Sequence, residues 1–361
     1  MSKSLFAAAF VRAFSVGSAL TADLPARKEA SVYMPPPPMW TGFYLGLNAG
    51  GGWGATTNAA TVSAPLFDGV ALAANTLDPL RQLAGTGLIN GGAALANSGI
   101  ANVNQNGFIG GGQIGYNYQW GATFVVGIEA DIQGTTIQGS SGYTGASQDS
   151  IAWKDPVFPG NAPCSVNGCT FSRTALGSGQ ITAGIDWMGT VRGRLGYLFT
   201  PTMLVFGTGG FAYGGVNGSA THAGIIQATL SGANDAQNPV PFPYSKLNGT
   251  YLFPIIPGAG NYSNTQVGWT AGGGVEWMFM PNWSVKAEAL YYDLGNAGIY
   301  SSPVSLVSPF TLKLGGVNVT AGQLLIASTP VTRIKYDGVI ARAGINYHFN
   351  WSAPAPVLAN Y

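Results

Sequence analysis

Apolar and polar residues alternate with a period of two along the stretch from Lys335 to Phe349, near the end of the chain. From Val339 onward the odd positions are all apolar, whereas most of the even positions are small or polar. This alternation predicts a β-strand with one apolar face and one polar face. The apolar face ends in two aromatic residues, which is typical of a strand that crosses a bilayer between lipid and a polar lumen.

The same alternation recurs in seven segments upstream, and six of them form three pairs joined by short turns. Two of these turns contain proline, at Pro201 and Pro281, as tight turns often do. In chain order, the eight predicted strands span residues 40–54, 107–119, 123–134, 187–199, 203–216, 267–279, 283–294 and 335–349. Short and long connections alternate strictly between them. The pattern therefore predicts an all-β fold, an antiparallel transmembrane β-barrel of eight strands with short periplasmic turns and long extracellular loops.

The rest of the chain is interpreted as a leader, a spacer, loops and a tail. Residues 1–22 have the features of a secretory signal peptide: Lys3, an apolar stretch that ends before Arg12, and a small-residue exit. Residues 23–39 include four consecutive prolines, which predict an extended periplasmic linker that cannot join a sheet. The barrel is expected at 40–349, with long loops at 55–106, 135–186, 217–266 and 295–334, and a C-terminal tail at 350–361.

Composition favours the same class of protein. Only 8% of the 361 residues are charged, whereas an ordinary soluble domain has about 25%. No run of 18 or more apolar residues is present, so the sequence predicts no membrane-spanning helix. Because only helices and closed barrels satisfy every backbone group in lipid, a membrane location without such a helix indicates a barrel. The net charge of +1 argues against a nucleic-acid partner, and two histidines offer little for a metal site.

Charged residues inside the predicted strands are the candidate functional residues. They lie on the faces opposite the aliphatic residues, and they comprise four acids and four bases: Glu129, Asp131, Arg192, Arg194, Glu276, Lys286, Glu288 and Arg342. Residues two apart share a face, so these side chains are expected to point into the lumen as a paired network. The network is either a charged constriction that selects solutes or a structural plug. The small interior of an eight-stranded barrel favours the plug.

Other notable residues lie in loops and at strand ends. Cys164 and Cys169 predict a local disulfide in an exported protein, with a metal pair or free thiols as alternatives. His222, in a predicted loop, is expected to be solvated. Aromatic residues at strand ends predict girdles at the two membrane boundaries. They are Trp40, Trp120, Trp187, Trp277, Trp283, Tyr197, Phe199 and Phe279.

Several blocks resemble the small outer-membrane porin and outer-membrane immunogenic protein family of alpha-proteobacteria. The opening block WTGFYLGLNAGGGWG (residues 40–54), which follows ADLPARK, and the closing block ARAGINYHFNW (341–351) carry most of the resemblance. The blocks GTVRGRLGYLF (189–199) and GTGGFAYGG (207–215) are similar too. The resemblance implies an OmpA-type eight-stranded barrel in the outer membrane of a Gram-negative bacterium, and haem binding is described for some members. It supplies no catalytic residues.

The sequence therefore predicts a non-enzymatic outer-membrane protein of the porin or surface-antigen type. Membrane integrity and limited passage of small solutes form the leading role. The alternative is a binding protein whose loops hold haem or a host-surface ligand on a plugged barrel. No cofactor or metal is expected, and the expected partners are outer-membrane lipid and the barrel-assembly machinery, with a monomer favoured. Either Phe349 or Tyr361 is expected to serve as the aromatic assembly signal.

Overall fold

The structure is a computed structural model, and it describes residues 40–65, 88–153, 168–232, 248–314 and 317–349. The predicted signal peptide, linker and C-terminal tail lie outside the described residues, as do Cys164 and Tyr361. Within the described ranges, no helix is long and apolar enough to cross a membrane.

The described chain is almost entirely β-strand. In chain order its elements are β1 (Gly42–Gly54), β2 (Asn58–Pro65), α1 (Leu88–Ala96), β3 (Gly99–Asn102), β4 (Asn106–Trp120), β5 (Phe124–Trp153), β6 (Cys169–Thr200), β7 (Met203–Ser231), β8 (Gly249–Met280), β9 (Trp283–Tyr300), β10 (Val304–Leu314) and β11 (Val317–Phe349). Eight of the strands form a closed antiparallel ring in the order β1-β4-β5-β6-β7-β8-β9-β11, and β11 pairs back to β1. The predicted eight-stranded barrel is confirmed.

The pairing of β1 with β11 closes the ring and sets its register. Phe43 pairs with Phe349, and Gly54 pairs with Gly338 at the other end of β1. Along β1 the side chains alternate between the two faces: Leu47 is 68% exposed, whereas its neighbour Asn48 is 5% exposed. The apolar residues therefore face outward and the polar residues inward, which is the reverse of a water-soluble barrel and the arrangement that lipid requires.

The outward apolar belt lies between two girdles of aromatic residues. Phe43 marks one girdle and Trp53 the other, and this ten-residue spacing corresponds to about 25 Å along the membrane normal once strand tilt is allowed for. The girdle at the short turns contains the ring pairs Phe43–Tyr116, Phe124–Tyr197 and Trp283–Tyr347. The opposite girdle contains Trp187–Tyr213 and Trp269–Tyr291. Because short turns face the periplasm in such barrels, the first girdle marks the periplasmic boundary.

One of the residues predicted for a girdle lies elsewhere. Trp40 is 0% exposed, and its indole nitrogen donates a hydrogen bond to the Pro201 carbonyl oxygen over 3.1 Å. It packs inside the periplasmic mouth of the barrel with Leu198, Leu204 and other apolar side chains. Trp40 precedes β1, so its side chain is not held to the outward face of a strand and can fold into the lumen.

Most of the segments predicted as long loops are strands. β5 and β6 remain paired from Phe124↔Tyr197 to Trp153↔Cys169, so the expected loop at 135–186 is wrong over most of its length. The expected loop at 217–266 contains the second half of β7 and the first half of β8. The expected loop at 295–334 contains the end of β9, all of β10 and the first half of β11. The expected loop at 55–106 contains β2, α1 and β3.

The sequence predicts loops in these segments because the apolar side chains move from the outer to the inner face of the strands at the extracellular boundary. Beyond the girdle the strands continue to alternate, but their apolar residues now point inward, as Ile137, Ile181 and Ile185 do. Outward positions there carry residues such as Thr182 and Ser219, whose hydroxyl oxygens are 2.6 Å apart. The pattern of outward apolar residues that predicts the membrane strands ends where this exchange begins.

Short elements complete the extracellular half of the ring. β2 pairs with β11 through Arg333↔Ala60, β3 pairs with β2, and β10 pairs with both β8 and β11. The helix α1 is held at the inner side of the strands: the Tyr143 hydroxyl donates to the Asn97 carbonyl oxygen over 2.6 Å, and the Ser147 hydroxyl donates to the Gly92 carbonyl oxygen over 2.8 Å. In the described part of the chain, these strands extend the wall beyond the membrane and α1 lies against its inner side.

Candidate functional site in the barrel lumen

All eight charged residues predicted for the lumen are buried, none of them more than 5% exposed. They come from β5, β6, β8, β9 and β11, and the strand alternation turns each of them inward. The ring brings them together in one layer between the two girdles. Six of them form a single cluster, and Arg194 and Glu276 form a second pair.

Arg192 is at the centre of the larger cluster. Its Nη1 is 3.0 Å from Glu288 Oε2, its Nη2 is 3.0 Å from Asp131 Oδ2, and Nη2 also contacts Glu129. Arg342 holds two of the same acids from the opposite side, with Nη2 2.6 Å from Asp131 Oδ2 and Nε 2.7 Å from Glu288 Oε1. Each of these two acids is therefore shared by both guanidinium groups.

Lys286 completes this cluster. Its Nζ is 2.8 Å from Glu129 Oε2 and 3.0 Å from Glu288 Oε1, and it also donates to Gln113 Oε1 over 2.9 Å. The cluster therefore contains three cations and three anions. This balance matters because an unpaired charge in such a buried place costs several kcal/mol.

The second pair lies closer to the periplasm. Arg194 contacts Glu276, and its guanidinium carbon is 3.8 Å from the centre of the Phe206 ring. Glu276 Oε1 accepts hydrogen bonds from Ser284 over 2.5 Å and from Asn346 over 2.7 Å. The carboxylate is thus satisfied by neutral donors in addition to its arginine partner.

Several uncharged members of the network were missed in the sequence. The Tyr44 hydroxyl donates to Glu129 Oε2 over 2.5 Å, and Thr190 donates to Asp131 Oδ2 over 2.9 Å. Gln113, Ser284, Asn346 and His348 are also buried in this layer. All six have the inward position of their strands, so the alternation that located the charges would have located them too.

Tyr44 has room in the lumen because the adjacent strand carries a glycine. A Cβ atom on Gly115 would lie 2.3 Å from Tyr44 Cζ, closer than any real contact. Gly115 and Tyr44 are partners in the β1–β4 register. Gly115 therefore leaves the space that the Tyr44 ring occupies.

Ser284, His348 and Glu276 lie together but lack the geometry of a catalytic triad. The Ser284 hydroxyl oxygen is 2.9 Å from His348 Nε2, and Glu276 Oε1 is 3.3 Å from that same nitrogen. In a triad, the acid binds the other ring nitrogen and so orients the base towards the nucleophile. All three side chains are also buried. Among the described residues, no group of three or more His, Cys, Asp or Glu is placed to hold a metal ion.

Apolar layers close the lumen on both sides of the charged layer. On the periplasmic side, Trp40 packs with Val125, Leu198, Leu204, Phe206 and Met278. On the extracellular side, Ile109, Leu290 and Ile340 begin a core that continues up to Tyr143. The charged layer thus lies between two layers of apolar side chains.

A second polar cluster lies inside the extracellular half. His222, predicted as a solvated loop residue, is 0% exposed, and its Nδ1 is 3.1 Å from the Tyr143 hydroxyl oxygen. That hydroxyl donates its proton to the Asn97 carbonyl, so His222 must donate from Nδ1 in its neutral form. Burial lowers the pKa of His222 to about 4. The expectation failed because residues 217–231 extend β7 instead of forming a loop.

A small charged cluster marks the outer wall just beyond the extracellular girdle. Lys335 Nζ is 3.1 Å from both Asp293 Oδ2 and Asp337 Oδ2, and Asp337 also accepts hydrogen bonds from Thr56 and Tyr291. Burial alone would raise the pKa of Asp337, but the hydrogen bonds from Thr56, Lys335 and Tyr291 hold that pKa below its usual value.

The remaining predicted residues lie at the ends of strands. Cys169 begins β6 and is disulfide-bonded, while Cys164, its predicted partner, lies outside the described residues. Phe349 ends β11, and its ring centre is 5.0 Å from that of Tyr347 in the periplasmic girdle. Tyr361, the alternative assembly signal, lies outside the described residues.

Comparison with known proteins supports the membrane interpretation. No protein-family model matches the chain. Two curated relatives, the 31 kDa outer-membrane immunogenic proteins of Brucella melitensis and Brucella suis, are each 32% identical to it over 203 residues. The match covers 56% of this chain and 60% of either relative, so the chain spans about three-fifths of the length of the relatives it matches.

Two solved structures are similar to the chain at TM-scores below 0.5. OprG from Pseudomonas aeruginosa is 10% identical, with 87% of this chain and 98% of that chain covered and a TM-score of 0.33. Ail, the attachment invasion locus protein of Yersinia pestis, is 10% identical, with 85% and 99% covered and a TM-score of 0.22.

The closed ring, its outward apolar belt and its two aromatic girdles define a transmembrane β-barrel, and the similarity to the two Brucella proteins places it in the outer membrane of a Gram-negative bacterium. More specifically, the chain is similar to the 31 kDa outer-membrane immunogenic proteins. The similarity to outer-membrane immunogenic proteins and the outer-membrane location that the sequence predicts are both confirmed.

Proposed function

We propose that this protein is a closed barrel that stabilises the outer membrane and displays a rigid extracellular wall, and that it does not conduct solutes. One observation carries the proposal: the lumen contains a layer of eight paired charges between two apolar layers. Passage of even a small solute would require these ion pairs to separate, and each separated charge would be left without its partner. The porin-like role that the resemblance suggests is therefore the less favoured alternative.

The proposal includes no catalytic activity. Ser284, His348 and Glu276 support this part of the proposal, because Glu276 and Ser284 both contact Nε2 of His348 and therefore do not form a catalytic triad. The extracellular wall supports a second candidate function, the binding of a surface ligand. Strands β5 to β8 extend well past the girdle and offer a large ordered surface outside the membrane.

The remaining interactions follow from the same architecture. We propose that the barrel is a monomer surrounded by lipid, since the eight charged residues of the lumen form ion pairs with one another within one chain. We also propose that the assembly machinery recognises Phe349, which ends the closing strand in the periplasmic girdle.

Single-channel conductance of the refolded mature protein in a planar bilayer tests the main proposal. A known conducting porin, reconstituted in parallel, is the positive control for insertion. We expect no discrete openings from this protein in bilayers where protease protection shows that it is inserted. Reproducible openings of uniform size would disprove the closed lumen and establish solute passage.

The binding alternative has a separate test. Whole cells that display the protein are treated with a protease that removes extracellular segments, and binding of candidate surface ligands is compared before and after. Saturable binding that disappears after proteolysis would establish the second function, whatever the conductance result.

A further inference from the structure

The lipid-facing wall of the barrel carries a groove on one side. The groove has a volume of about 620 Å³, and its lining residues come from β1, β7, β8, β9 and β11. Its exposed surface is mostly apolar, although Asn48, Glu276 and Lys286 of the lumen also border it. Its floor consists of the alanines Ala49, Ala287 and Ala343, which are direct partners in the strand registers. Because these side chains are small, the outer surface of the barrel is recessed along this row.

Larger side chains form a ridge along the periplasmic side of the groove. Trp277 pairs with Val285, Val285 with Ile345, and Ile345 with Leu47, so the four side chains follow one row across four strands. Leu47 is 68% exposed and Trp277 is 51% exposed, so these side chains project into the membrane. The groove therefore has a raised edge on one side and a low floor beside it.

The groove lies at the depth of the periplasmic leaflet. Its ridge residue Ile345 is two residues from Tyr347 in the periplasmic girdle, and its floor residue Ala343 is midway between Tyr347 and Val339. Val339 pairs with Trp53 and with Tyr291, which mark the extracellular boundary. The groove thus extends from near the periplasmic headgroups to the middle of the bilayer.

The dimensions of the groove match those of one acyl chain. It crosses five adjacent strands, and four spacings of about 4.8 Å give a length of about 19 Å. Strands of such barrels are tilted by about 35–45°, so the groove runs obliquely through the leaflet and covers about 12 Å along the membrane normal, which fits within the roughly 15 Å of one leaflet of a hydrocarbon core about 30 Å thick. The groove is also continuous with the apolar belt, which is the lipid interface of the barrel. An empty apolar groove at this depth would forfeit van der Waals contacts, so lipid has to fill it.

We propose that this groove is a lipid-binding site that holds an acyl chain of a phospholipid from the periplasmic leaflet. On the opposite side of the ring, the described wall around Ala130 has no such row of alanines. At a similar depth on β5, Ala130 has Ile114 and Val191 as its lateral partners and Ile128 and Ile132 as its neighbours along the strand. Lipid on that wall meets an even surface and exchanges freely, whereas lipid in the groove is retained.

Filling the groove tests the proposal. The wild-type protein, the double variant Ala287→Phe/Ala343→Phe and the control Ala130→Phe are extracted from outer membranes in mild detergent and examined by native mass spectrometry. Folding of each is checked by heat-modifiable migration. We expect one retained phospholipid on the wild type and on Ala130→Phe, and at least a tenfold lower lipid-bound fraction on the double variant. Equal lipid retention by all three proteins would overturn the proposal.

A second outcome would also overturn it. If the wild type is a dimer and the double variant is a monomer, a second copy of the chain occupies the groove. Should the double variant fail to fold, quenching of Trp277 by phospholipids with brominated chains gives an independent measurement, with Trp277→Phe as the background. A site predicts quenching that saturates at a low mole fraction of brominated lipid, and quenching that only rises in proportion to that fraction excludes it.

Discussion

Arg194 and Glu276 are 82 residues apart in the chain, yet they form an ion pair with side chains only 1% and 0% exposed. The pair exists because β6 and β8 both turn these positions into the lumen, on either side of β7. Its environment is apolar on the periplasmic side, where Phe206 and Trp40 pack. The two charges therefore depend on each other more than surface charges do.

Removal of one partner of this pair should be costly, and removal of both should be much less so. We expect Arg194→Leu to lower the free energy of unfolding by about 3–5 kcal/mol, because Glu276 is left as an uncompensated buried charge. Adding Glu276→Gln should restore a large part of this loss. Urea unfolding in lipid vesicles measures both effects.

Arg333 provides the matched control, since its side chain is exposed. Arg333→Leu should change the free energy of unfolding by less than about 0.5 kcal/mol. If the Arg194→Leu and Arg333→Leu variants are equally stable, the lumen pair contributes little and the description of the charged layer is wrong.

Burial of His222 should make stability depend on pH. The pKa of His222 is lowered to about 4 in the folded protein, whereas an unfolded histidine titrates near 6.5. Between these values the unfolded state binds more protons, so stability falls as pH decreases from about 6.5 to about 4. The loss should be on the order of 3 kcal/mol. His222→Gln should remove this component, and an unchanged pH profile in that variant would contradict the assignment.

Asp337 should contribute a second, more acidic pH dependence. Its folded pKa is lowered by hydrogen bonds from Thr56, Lys335 and Tyr291, although burial opposes the shift. Its stabilising contribution is therefore complete above the unfolded value of about 3.9 and is lost as pH falls through the folded value. Asp337→Asn should flatten the unfolding profile in this acidic range, while Tyr291→Phe, which removes one donor, should flatten it less. Identical profiles for wild type and Asp337→Asn would rule out this linkage.

Trp40 should stabilise the barrel from inside. We expect Trp40→Ala to lower the free energy of unfolding by about 3–5 kcal/mol, as large-to-small changes in a packed core do. Trp120 is 72% exposed in the periplasmic girdle, so Trp120→Ala is the control and should cost less. The charged layer remains in the Trp40→Ala variant, so we expect its bilayers to stay silent. Conductance in this variant would show that Trp40 alone closes the lumen.

Deletion of residues 350–361 tests the assembly signal. If Phe349 is the residue recognised, the shortened protein should reach the outer membrane and show normal heat-modifiable migration. Phe349→Ala in the full chain should reduce assembly. The reverse pattern, with loss of assembly only after deletion, would assign the signal to Tyr361.

The sequence predicted the membrane part of the barrel well, because lipid imposes a strict alternation of faces. Arg192 and Arg194 were assigned to the lumen from their spacing alone, and the structure places both there. Tyr44 and Asn346 occupy the same inward face, but their neutral side chains do not mark them as members of an ion-pair network. Their hydrogen bonds depend on register across strands, which a single sequence does not show.

The extracellular half was harder to predict for a different reason. Ile137 and Ile181 are core residues there, but they face inward, so the apolar alternation that marks the membrane strands stops before them. The outward residues of this half are mostly Ser, Thr, Gln and Gly, which are also typical of loops. His222 was misplaced for the same reason, and Trp40 because it precedes the first strand.

The exchange of faces at the extracellular girdle has a consequence for recognition of the protein by antibodies. Ser140, Thr182, Ser219 and Asn261 form one outward row across β5, β6, β7 and β8, although they span more than a hundred residues of sequence. An antibody that binds this wall would contact several strands at once. Its epitope would therefore be discontinuous. Short linear peptides from the segments that the sequence predicts as loops would not reproduce it.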